Sequence, residues 1–182
     1  PGTMNLEIHG GQKMHGTVVT STSKNGAVGL LCASLLNKHR TILRRVPRIE
    51  EVHRIIEVLE SIGMRVEWNG SDVTLTPPAR YELAKIDRVA AQKTRSIVMF
   101  IGPLMHHLRK FSLPQSGGCK LGSRTVRPHF FALERFGVHI EAKHDEFAVH
   151  VTPKKAGEII LYESGDTVTE NALLGAALTP GI

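Results

Sequence analysis

A chain of 182 residues, 41% hydrophobic and only 5% aromatic, has the length of one large domain or two small ones and must build its core from Leu, Ile, Val and Ala. Its net charge of +6 comes from basic residues scattered along the chain, with few aromatics for base stacking and no recognisable nucleic-acid module. That pattern argues against nucleic acid and leaves a small anionic substrate as the partner. No apolar run approaches the roughly 20 residues needed to cross a bilayer, and the first residues are too polar for a secretory signal, so no membrane is expected and the reading is a soluble cytoplasmic protein.

Pro1-Gly2-Thr3 ahead of Met4 has the look of an expression scar. Short strands are expected at Leu6 to Ile8 and Gly16 to Thr20. An apolar helix follows from Lys24 to Leu36, with Cys32 as a small hydrophobe inside it. Thr41 to Arg44 reads as a strand, and Arg48 to Glu51 opens a second helix that stops at Gly63. Met64 to Trp68 and Val73 to Pro77 read as a hairpin, with Asn69-Gly70 as a type I′ turn. A third helix is expected from Arg95 to Leu108 and a strand from Lys110 to Leu113. A further helix ends at Gly137, followed by strands Val138 to Ala142 and Ala148 to Val151. The last helix is expected from Glu170 to Leu178, so that Asn25 and Asn171 take matching places near two helix starts.

These elements repeat. Leu59-Glu60-Ser61-Ile62-Gly63 with its hairpin matches Leu133-Glu134-Arg135-Phe136-Gly137 with its own, 74 residues on. The inferred unit is β-α-β-α-β-β, giving an α/β fold with two copies present and a third that stops after its first helix. A repeat that lacks a neighbour leaves an apolar face uncovered, so the chain reads as the amino-terminal part of a longer protein. A complete small protein that finishes its core by oligomerising is the alternative.

Chemistry concentrates in the loop from Ser116 to Arg124, where Cys119 sits among Gly117, Gly118 and Gly122 with Lys120 and Arg124 nearby. Glycines let the backbone turn sharply and approach a ligand, and cations favour the reactive thiolate. Such a loop suits an anionic small molecule and proton-transfer or covalent chemistry, or else is a surface loop with an incidental thiol. The ten histidines show neither a His-Glu-x-x-His nor a Cys-x-x-Cys pattern, so no metal site is expected.

Five segments, in order along the chain, resemble the UDP-N-acetylglucosamine 1-carboxyvinyltransferase family, the enolpyruvyl transferases of peptidoglycan synthesis. They are Ser23-Lys24-Asn25-Gly26-Ala27, Arg44-Arg45-Val46-Pro47 followed by Glu51-Val52, Lys93-Thr94-Arg95-Ser96-Ile97 with Gly102-Pro103-Leu104, Gly117-Gly118-Cys119-Lys120-Leu121-Gly122-Ser123-Arg124, and Thr169-Glu170-Asn171. The resemblance implies an inverted α/β barrel of two domains with the active site between them. Residues 22–182 would then be most of one domain, and residues 1–21 strands that belong with the absent other.

It also implies the reaction. Enolpyruvyl would pass from phosphoenolpyruvate to the 3′-hydroxyl of UDP-N-acetylglucosamine, releasing phosphate, with no cofactor and no metal. Cys119 would be the general acid and the thiol that fosfomycin alkylates, with Lys24 and Arg124 beside it as catalytic cations. Arg95 and Asn25 would hold substrate, and Val126, Arg127 and Thr167 would meet the nucleotide sugar. The second half of the protein would supply the base.

Each role has a plainer counterpart: Lys24 and Asn25 could be the first turn of a helix capped by Ser23, and Arg95 and Arg124 solvated charges. Two departures bear on the acceptor. Arg127 stands where the family has an acid, and Asp166, in Gly165-Asp166-Thr167, would repel a diphosphate. A divergent transferase with another acceptor, or a non-catalytic anion-binding repeat domain, are the competing readings.

Overall fold

The structure, a computed structural model, describes residues 5, 7–115, 125–152 and 157–180. Helix α1 (Lys24–Ala33) is capped by Ser23, whose Oγ accepts from the Gly26 N–H at 3.1 Å, and runs on as a 3₁₀ turn at Ser34–Leu36. Its apolar sequence is explained by burial of Ala27, Val28, Leu31 and Cys32. Strand β1 (Thr41–Leu43) leads to helix α2 (Glu50–Ser61), which turns Val52, Ile55, Ile56 and Leu59 inward. The outward face of α2 carries Arg54, paired with Glu50 and Glu57. The chain leaves α2 through Gly63, at φ +105°, and forms the hairpin β2 (Arg65–Asn69) and β3 (Asp72–Thr76).

The second copy repeats this order. Helix α3 (Arg88–Gln92) precedes a 3₁₀ segment at Arg95–Phe100 and one turn of α-helix, α4 (Ile101–Leu104). Strand β4 (Lys110–Pro114), helix α5 (Arg127–Glu134) and the hairpin β5 (Val138–Ala142) and β6 (Glu146–Val151) follow. Gly137, at φ +81°, takes the place of Gly63. Both sheets are three-stranded and antiparallel, ordered β1-β3-β2 and β4-β6-β5, so each copy pairs its first strand with its last. Helix α6 (Asp166–Ala176) opens the third copy and packs on α4 and α5. One continuous core joins the two copies, from Leu31, Leu59 and Leu75 to Phe100, Phe136 and Phe147.

Four expectations change. Residues 7–21 are exposed without helix or strand, so the strand expected at Gly16 to Thr20 does not form; it has no pairing partner among the described residues. The helix expected from Arg95 to Leu108 is 3₁₀ up to Phe100 and α-helical for only four residues after it. Pro103 has no N–H, and the Gly102 N–H is taken by the Asn171 side chain at 3.1 Å, so two consecutive rungs of an α-helical ladder are missing.

The last helix begins at Asp166, four residues earlier than expected, with Gly165 extended as its cap and an acid in its first turn. Asn171 is therefore mid-helix and fully buried, and does not match Asn25. In the first hairpin Asn69 pairs with Asp72, which makes Gly70 and Ser71 the central residues. Only Gly70 has positive φ, at +60°, the pattern of type II′ rather than type I′.

Candidate active site

Both copies and the third helix contribute to one cleft of about 630 Å³. Lys24 and Asn25 come from the first turn of α1, Glu51 from the first turn of α2, and Arg95 and Ser96 from the start of the 3₁₀ segment. Thr125, Val126 and His129 enter where the chain joins α5, and Glu163, Gly165, Asp166 and Thr167 where it joins α6. Element starts converge here, and helix starts present free N–H groups.

Glu51 organises the cationic side. Its Oε2 accepts from Lys24 Nζ at 2.6 Å, and its Oε1 accepts from Ser96 Oγ at 2.6 Å and from Thr94 Oγ1 at 3.3 Å. Burial pushes this carboxyl up, but the hydrogen bonds from Lys24 and Ser96 and the Lys24 charge outweigh it and hold the group below its usual range. Thr94 is itself buried and caps the 3₁₀ segment through the Ser96 N–H.

His129 lines the cleft, and the fully buried Asn171 holds it from behind. The Gly102 N–H can only donate and the Val98 carbonyl can only accept, at 3.1 and 3.2 Å, so the Asn171 amide has one orientation. Its Nδ2 donates to His129 Nδ1 at 3.1 Å, which leaves the imidazole proton on Nε2. Burial, with the charge of Arg95 adding to it, pushes His129 down to about 4. The ring is neutral at pH 7 and offers a donor without a charge.

Of the residues singled out from the sequence, Lys24, Asn25, Arg95, Val126 and Thr167 line this cleft. Arg127 opens α5 on the exposed side, outside the lining, with its backbone N–H on Thr125 Oγ1 at 3.1 Å. Cys119 and Arg124 lie outside the described residues. Glu51, His129 and Glu163, which line the cleft, and Asn171 buried behind it were not singled out as site residues. Glu51 read only as part of a helix start and of the family resemblance. Asn171, a lone amide in an apolar helix, was the one legible signal of a buried polar bridge. A second cavity of similar volume lies over the β4-β6-β5 sheet beside Lys110, His139 and His150, away from these groups. Among the described residues no group of three or more His, Cys, Asp or Glu could hold a metal ion, and no helix is long and apolar enough to cross a membrane.

The family model for EPSP synthase (3-phosphoshikimate 1-carboxyvinyltransferase) matches residues 8–181. The chain belongs to this enolpyruvyl transferase family. Similar proteins include the UDP-N-acetylglucosamine 1-carboxyvinyltransferases of Thermobifida fusca, 36% identical over 96% of this chain, and Treponema denticola, 34% identical over 96%. The chain spans only 42% and 41% of those relatives.

Among solved structures, the enolpyruvyl transferase NikO from Streptomyces tendae matches with a TM-score of 0.75 at 18% identity, over 94% of this chain and 40% of that one. An EPSP synthase from Acinetobacter baumannii matches with a TM-score of 0.66 at 15% identity, over 90% and 38%. These likenesses bear out the α/β fold expected from the repeat and the enolpyruvyl transferase fold that the resemblance implies.

Proposed function

We propose that the protein containing this chain is a transferase that moves enolpyruvyl from phosphoenolpyruvate to the 3′-hydroxyl of UDP-N-acetylglucosamine, releasing phosphate, in the cytoplasm and at the entry to peptidoglycan synthesis. The observation that carries this reading is the meeting of Lys24, Asn25 and Arg95 in one cleft with Thr125, the residue at which the chain returns from the glycine-cysteine loop.

Phosphoenolpyruvate carries a phosphate and a carboxylate, and the two cations match them. Asn25, in the first turn of α1, hydrogen-bonds substrate where helix N–H groups favour anions. In the proposed reaction Cys119 delivers a proton to the methylene carbon while the sugar oxygen bonds to the neighbouring carbon. The phosphate then leaves with its bridging oxygen, and loss of a proton from the methyl group so formed restores the double bond. Lys24 and Arg124 neutralise the charge that builds on the departing phosphate. The base comes from the second half of the protein, with which residues 1–21 also belong. Residues 1–182 alone are inactive on this reading.

Phosphate release from phosphoenolpyruvate in the full-length protein tests it. Release that depends on UDP-N-acetylglucosamine and falls at least about 100-fold in Cys119→Ala supports the reading. Acceptor-independent release, or a Cys119→Ala variant with full activity, contradicts it.

A second reading has a specific observation behind it. Glu163 and Asp166 both line the cleft at the start of α6, and Glu163 Oε1 lies 3.5 Å from where a Cβ on Gly165 would stand. Two carboxylates there oppose a diphosphate, which favours an acceptor without one. Release restored by a phosphate-free alcohol but not by UDP-N-acetylglucosamine would select this reading.

A further inference from the structure

The Lys24 ammonium stands on the exposed start of α1, a long flexible side chain that must lose several rotors to meet a ligand the same way each time. Arg95 lies on a different element, the 3₁₀ segment of the second copy. One carboxylate spans the two. Glu51 reaches from α2 with one oxygen on Lys24 Nζ and the other on Ser96 Oγ, the residue next to Arg95. Thr94, on the other side of Arg95, donates to the same oxygen. The Lys24 and Glu51 side chains are 53% and 25% exposed, and their 2.6 Å contact occupies one of the three ammonium donors, leaving two for a ligand.

We infer that Glu51 is the positioning residue that fixes Lys24 and the Arg95 segment in register with each other. The inference rests on the enolpyruvyl reading of the cleft. Its sign is distinctive. A carboxylate beside an anion site weakens the attractive field, so a purely electrostatic role predicts that neutralising Glu51 improves the handling of phosphoenolpyruvate. A positioning role predicts the reverse.

The test compares kcat/KM for phosphoenolpyruvate in the full-length wild type with Glu51→Gln, Lys24→Ala and the double variant Lys24→Ala/Glu51→Gln. Glu51→Gln keeps an acceptor oxygen for Ser96 and Thr94 but turns an NH2 group, which cannot accept, toward the Lys24 ammonium. Its unfolding temperature stays near wild type while kcat/KM falls about tenfold. In the Lys24→Ala background Glu51→Gln lowers kcat/KM by less than about twofold, because the Gln still holds Ser96 and Thr94 and what it loses runs through Lys24. An unchanged or raised kcat/KM in Glu51→Gln overturns the inference and leaves the enolpyruvyl reading intact. An undiminished loss in the Lys24→Ala background also overturns it, since Glu51 then acts through something else. A wild type without turnover overturns both.

Discussion

The two copies of the repeat share a hairpin, an outer helix and a glycine exit, yet they differ where strand passes to helix. Residues 44–49 join β1 to α2 in the first copy, while residues 115–126 join β4 to α5 in the second, a connection twice as long. The short one is pinned: the Val46 N–H donates to the Ser71 carbonyl at 2.7 Å and the Arg45 N–H to Asp72 Oδ1 at 2.9 Å. The long one carries the glycine-cysteine segment. The scaffold is thus duplicated, and the long glycine-cysteine connection belongs to one copy only, while both copies line the cleft. A second difference lies inside. The first copy's inner helix is a regular α-helix. The second copy's is 3₁₀ and then a single α-turn, because it packs against Asn171 at the centre.

The sharpest way to break this contrast is Asn171→Ala. It strands the Gly102 N–H and the Val98 carbonyl and frees His129, so the fold loses roughly 3 kcal/mol or more, measured by urea denaturation. Gly102→Ala acts on the same contact by steric means. A Cβ there collides with the Asn171 side chain and backbone, costing about 1 to 3 kcal/mol.

Acid comes next. The unfolded chain takes up a proton near the ordinary histidine pKa of 6.5, whereas folded His129 resists until about 4. Stability is full at pH 7 and declines as pH falls through that window, by about 2 kcal/mol at pH 5. Glu51, held below its usual 4.5, adds its own loss only at lower pH. Urea midpoints at pH 7 and pH 5 in wild type and His129→Gln check the sign, because the variant should lose the part that belongs to His129.

The smallest expected effect concerns the shared exits. Gly63→Ala and Gly137→Ala each force a Cβ into positive φ and should cost about 1 kcal/mol apiece. Equal costs would support equivalence of the two copies.

The repeat was legible because Leu-Glu-x-x-Gly followed by alternating strands states its geometry locally. The inner segment of the second copy was not. Gly102-Pro103 looked compatible with a helix, and the partner that redirects the Gly102 N–H lies 69 residues away at Asn171. The start of α6 was misread for a related reason. Asp166 and Thr167 lack the apolar period, yet Gly165 can cap them.

In the site, cations at helix starts stood out in the sequence. The groups that hold them did not. Glu51 is unremarkable until α2 lies against α1. His129 acquires meaning only through burial and Asn171.

The central claim is that cations from both copies serve one anionic substrate. Titration of phosphoenolpyruvate into the full-length wild type, Lys24→Ala, Arg95→Ala and Lys110→Ala tests it most directly, with Lys110 as a cation on β4 outside the cleft. The account predicts that Lys24→Ala and Arg95→Ala each weaken binding about tenfold or more while Lys110→Ala changes it less than twofold. Equal small changes in all three, or loss in only one of the two cleft variants, would contradict a single site shared between the copies.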